Sequence, residues 1–133
     1  MQPGSLPRMS SAAGTLLQLL RLGGDCASAV PLHDVSPGAW EETLELALTH
    51  GVAPLLHRAL KRSGTRAKIP DTVRMRLEDE RHATALLNLR KYGEFRRIAQ
   101  ALRERKIPLI ALNGLHLAEL VYRDISLRPM SDL

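Results

Sequence analysis

An α+β chain, predominantly α, is what the sequence predicts: a helical region over 11–106, then one strand–helix unit that opens at 107. Apolar residues recur three or four apart from Trp40 to Leu102, the period of a helix face. The pattern changes at Ile107-Pro108, where the continuous run "LIAL" suits a strand buried on both faces. Aromatic residues are only 3% of the chain, so the core falls mainly to Leu, Ile, Val and Ala, a composition that favours helices.

The elements follow in order. Residues up to about Ser10 read as a disordered lead, and Ala12–Leu22 as a short helix stopped by Gly23-Gly24. The apolar stretch after Arg8 is broken by Gln18 and ended by Arg21, too short for a signal peptide and far below the roughly 20 residues of a membrane span. "DCASAVPLHDVSPG" is a turn-rich connection. Ser36 is then a reasonable N-cap, with Pro37 at the first helical position, where its missing N–H costs nothing. Trp40, Leu44, Ala47 and Leu48 form one stripe of that helix. Gly51 interrupts, and a further short helix runs through Leu55, Leu56 and Leu60 before Gly64 and a basic loop.

Asp71 is expected to cap the longest helix, from about Thr72 to Arg105. Its apolar positions are Val73, Leu77, Leu89, Tyr92, Phe95, Ile98, Ala99 and Leu102, with charges on the other faces. Gly93 inside it invites a kink or a close helix contact. Pro108 biases Ile107 away from the α region, so a strand is expected over Leu109–Leu112. Asn113-Gly114 ends it, and a helix of about two turns takes Leu115, Ala118, Leu120, Val121 and Tyr122. "RDISLRPMSD" leads out as a loop towards the start of a second strand at Asp132-Leu133.

A length of 133 residues allows one core, and 44% hydrophobic content is ordinary for a globular chain. The net charge of +5 is spread along the sequence, compatible with a phosphate-bearing partner without demanding one. Cys26 stands alone, which excludes an intrachain disulfide framework and a cysteine-based zinc site and makes a reducing, cytoplasmic setting the simplest expectation.

The segment "IPLIALNGLHLAELVYRDISLRPMSDL" resembles the signature region of a bacterial nucleotidyltransferase family in the DNA polymerase β-like superfamily, whose usual form is "LKG…LA…Y…RPMSDIDLLV". Trp40, Ala47, "HGVAPLL" at His50–Leu56 and Ile69-Pro70 fit its upstream pattern, so the likeness covers roughly Trp40 to Leu133. Arg128-Pro129-Met130-Ser131-Asp132 matches residue by residue. The resemblance implies that 107–133 opens a nucleotidyltransferase sheet, left incomplete here, and that the substrate is an NTP whose nucleoside monophosphate passes to an unknown acceptor. It implies nucleotide contacts at Asn113, Gly114, Arg128 and Ser131, and a catalytic, metal-holding Asp132 with Mg2+ or Mn2+.

Such chemistry needs those parts. Divalent cations neutralise the triphosphate, and carboxylates alternating on one strand can share them. A glycine after the strand lets backbone N–H groups and a helix N-terminus approach phosphate. Asn113 stands where the family usually has Lys, and the second aspartate would fall two residues beyond Asp132, so this chain is expected to be inactive alone.

Other residues read as ordinary structure. His33, His50, His57, His82 and His116 show no ligand spacing. Ser131 lacks a positioned base and is a poor nucleophile. Glu78-Asp79-Glu80-Arg81 reads as a solvated helix face, and Lys61, Arg62, Arg66 and Lys68 as a solvated basic loop with little aromatic support for nucleic-acid binding. The alternative function is a non-catalytic helical module that binds a protein or nucleic acid.

Overall fold

The computed structural model describes residues 12–22, 35–63, 69–112 and 114–131. Five α-helices follow in order: α1 (Ala12–Leu22), α2 (Pro37–Thr49), α3 (Ala53–Arg62), α4 (Asp71–Glu104) and α5 (Gly114–His116), the last continuing as a π-helical stretch, Leu117–Tyr122. The described residues are thus predominantly helical.

Local chemistry sets the boundaries. The Ser36 hydroxyl accepts the Ala39 N–H at 3.2 Å, and Pro37 occupies the first turn, as the cap pattern predicts. Gly51 turns the chain between α2 and α3 at φ +65°, a conformation that suits glycine, while the Val52 N–H donates to the Ala47 carbonyl at 2.8 Å. Pro70 rather than Asp71 holds the N-cap position of α4, and Asp71 instead pairs with Arg74 one turn on, at 2.5 Å.

The far end of α4 closes without glycine. Lys106 sits at φ 59°, with its N–H donated to the Arg103 carbonyl and the Ile107 N–H to the Leu102 carbonyl, both at 2.9 Å. That pair of bonds is the Schellman arrangement, here with a lysine in the left-handed position. Gly93 lies within the unbroken helix with open space where a Cβ would stand, so it serves no close contact.

One core joins α1, α2, α3 and the first half of α4. Leu16, Leu19, Trp40, Leu44, Ala47, Leu56, Leu60, Val73 and Leu77 are buried in it, and Leu48 packs against its edge. Trp40 is 2% exposed, as its place on the stripe predicts. Phe95 is only partly buried. Leu89 and Ile98, expected on the buried face of α4, are instead exposed, at 60% and 49%, and Thr84 and Asn88 take the buried positions.

The expected strand requires a correction. Residues 107–112 lie outside any helix, as Pro108 requires, but no strand occurs among the described residues. A strand exists only through a hydrogen-bonded ladder, and no described segment lies alongside to form one. The run is therefore not buried on both faces: Ile110 is 80% exposed and Leu112 72%. The helix expected after it does form from Gly114, burying Leu115 and Ala118 while Leu120 and Val121 face outward.

Candidate functional site

Arg123, at φ 52°, turns the chain out of the π-helical stretch into a loop that runs back along α4 to Ser131. The loop is ordered by its own polar groups first. Asp124 Oδ1 accepts the Ser126 N–H at 2.8 Å and the Ser126 hydroxyl at 2.6 Å, the local bonding by which aspartate closes a turn. Leu127 and Met130 then point inward and are buried.

Side chains of α4 fasten the rest. Arg81 Nη1 donates to Ser126 Oγ at 3.2 Å. The Asn88 amide nitrogen donates to two loop carbonyls, Ile125 at 2.6 Å and Arg128 at 2.7 Å. Lys91 Nζ donates to the Met130 carbonyl, and the Tyr92 hydroxyl to the Leu115 carbonyl at 3.2 Å. These donors lie on one side of α4 because their spacings approximate whole helical turns. Irregular backbone that packs against protein loses its water, and each carbonyl so covered needs a donor.

Electrostatics follow from this geometry. Burial works to raise the Asp124 pKa, but the two Ser126 bonds and the charges of Arg81 and Arg58 outweigh it and hold the carboxylate below its ordinary range. Burial pushes the Tyr92 phenol up, and the negative charge of Glu119 adds to the effect.

Gly114 and Met130 meet across the site. A Cβ on Gly114 would lie 2.8 Å from Met130 Cγ and 2.9 Å from its sulfur, so only glycine fits without displacing the methionine. A Cβ on Gly51 would lie 3.7 Å from Pro129 Cγ, which puts the loop beside the α2–α3 turn as well. The glycine and the Arg-Pro-Met-Ser run, far apart in the signature, are thus brought into contact on the scaffold of α4.

Of the residues singled out from the sequence, Gly114 is therefore in the site. Arg128 presents its carbonyl to Asn88 and is partly buried, with no partner for its Nε among the described residues. Ser131 is exposed at the end of the loop. Asn113 and Asp132 lie outside the described residues. Sequence reasoning missed Asn88, Lys91 and Tyr92 as anchors and took Arg81 for a solvated charge. The signal was available at Thr84 and Asn88, polar residues in helical register with Val73 and Leu77.

Among the described residues no group of three or more His, Cys, Asp or Glu side chains is placed to hold a metal ion.

A family model described as an uncharacterised nucleotidyltransferase matches residues 36–133. The chain belongs to that family. The match takes in α2, α3, α4 and the whole site around Gly114 and Met130, and leaves α1 outside it. No curated protein and no solved structure matches the chain. No helix among the described residues is long and apolar enough to cross a membrane.

Proposed function

We propose that this nucleotidyltransferase-family chain contributes the triphosphate-facing part of an enzyme of the DNA polymerase β-like type, which moves a nucleoside monophosphate from an NTP to an acceptor. The single observation that carries the reading is the contact of Gly114 with Met130, because it joins the start of the Gly114 helix to the loop that carries Arg128–Ser131. Backbone N–H groups at the first turn of the helix that starts at Gly114 have no carbonyl one turn earlier in that helix, and such groups receive phosphate oxygens. Asn113, Arg128 and Ser131 border the same turn and loop in sequence and supply further donors. Asp132 is proposed as a carboxylate for Mg2+ or Mn2+, which would need other carboxylates to complete its shell.

In this reading 11–106 is a helical support domain and 107–133 the beginning of the catalytic core. The exposed Ile107, Ile110 and Leu112 support it, being the apolar side chains a sheet would cover. Catalysis of this type uses carboxylates in pairs to hold its cations, so Asp132 is proposed as one member of such a pair.

Labelled ATP, CTP, GTP and UTP, each with magnesium or manganese, provide the test. Binding by the folded chain, with its metal dependence removed in Asp132→Asn, is the expected result. Absence of binding for all four nucleotides would overturn the reading and favour the non-catalytic binding module.

A further inference from the structure

A cationic feature lies between α3 and the first half of α4, with Gly114 not among its lining residues. A pocket of about 120 Å³ opens there, lined by the apolar Leu60, Ile69 and Leu77 and the charged Lys61, Glu78 and Arg81. Arg74 also lines it, but its guanidinium is engaged by Asp71 at 2.5 Å.

The two other cations keep donors to spare. Arg81 carries five N–H donors; Nη1 bonds Ser126 and its charge acts on Asp124, while its Nε is buried without a partner among the described residues. Lys61 is exposed and takes part in none of the ion pairs found among the described residues. A half-buried guanidinium with unused donors beside a free ammonium favours an oxyanion, and phosphate geometry suits arginine best. Size narrows the choice. Pockets for drug-sized ligands run to about 300–1,000 Å³, so this one is too small for a nucleotide and large enough for a phosphate on a short carbon chain.

We propose that this pocket binds a small phosphate monoester. Its phosphate oxygens accept N–H bonds from Arg81 and Lys61, its carbon skeleton rests on Leu60, Ile69 and Leu77, and a ligand hydroxyl donates to the Glu78 carboxylate. The inference goes beyond the nucleotide reading and does not depend on it, because none of these residues belongs to the Gly114 turn or the Arg-Pro-Met-Ser run.

Glycerol phosphate, inorganic phosphate and glycerol are the probes, titrated into the full chain while the Arg81 Nε–Hε resonance and the backbone amides are followed by NMR. Saturable movement of the Arg81 resonance by both phosphates, tighter for the ester, and none by glycerol is the expected result. Lys61→Met should weaken both by roughly tenfold. Glu78→Gln should tighten inorganic phosphate and erase the advantage of the ester, an opposite sign that general damage to the fold would not produce. An Arg81 resonance that does not saturate, shifts confined to Gly114–His116, or an affinity indifferent to Lys61→Met in a folded chain would each overturn the proposal.

Discussion

The two halves of α4 are held to the molecule by different physics. Before Arg81 the helix buries Val73 and Leu77 in the apolar core shared with α2 and α3, with Arg76 pairing Glu41 and Glu45 of α2 only at the exposed rim. Beyond it the buried face carries Thr84 and Asn88, the loop is fastened by hydrogen bonds, and Leu86, Leu87 and Leu89 face outward. The difference lies in what each half packs against. A helix offers a surface whose backbone is already satisfied, whereas an irregular loop brings bare carbonyls that only donors can satisfy.

The contrast is broken most severely in the apolar half. Trp40→Ala should cost about 3–5 kcal/mol through lost burial and an unfilled cavity, read as a lower denaturation midpoint of the whole chain. Asn88→Ala removes two bonds and leaves the Ile125 and Arg128 carbonyls covered and unpaired, at a cost of about 1–3 kcal/mol. Its signature is local: hydrogen exchange should quicken over 124–130 before α2 and α3 respond. Uniform acceleration in both regions would show that the two halves are one cooperative unit.

Gly114→Ala sharpens the same comparison at the site. The added methyl overlaps Met130, for about 1–3 kcal/mol, and Met130→Ala in the same chain should relieve part of that cost. Additive effects of the two substitutions would contradict the contact.

These outcomes bear on what could be read in the sequence. The first three helices and the start of the fourth were legible because apolar side chains recur at the helical period and Ser36, Pro37 and Gly51 mark the boundaries. The site was legible only as motifs, Gly114 and Arg128–Ser131, because a motif names residues without naming their supports. Leu89 was misplaced by one position: an apolar residue beside Asn88 looks like the buried one until the loop carbonyls are in view. The strand at 109–112 is suggested by Pro108 and the continuous apolar run, but pairing is a relation between segments and cannot be read from one of them.

Acid tests the polar half through Asp124. The Asp124 carboxylate is depressed below its ordinary value, so its contribution is fully present above the unfolded-state pKa, about 3.9, and is lost as pH falls through the lower folded value. Exchange at the Ser126 amide, corrected for intrinsic rates, should therefore rise on the acid side of pH 4, and Asp124→Asn should remove that dependence. The smallest effect is expected at Lys106, where glycine relieves the left-handed strain and Lys106→Gly should stabilise by about 0.5–1 kcal/mol in thermal unfolding.

The measurement that tests the central claim most directly is amide NMR mapping of magnesium-ATP on the intact chain. Saturable shifts concentrated at Gly114–His116 and Arg128–Ser131, weakened in Gly114→Ala while the α2 and α3 amides stay in place, are the predicted result. Binding that shifts other surfaces and leaves those two segments unmoved would contradict it.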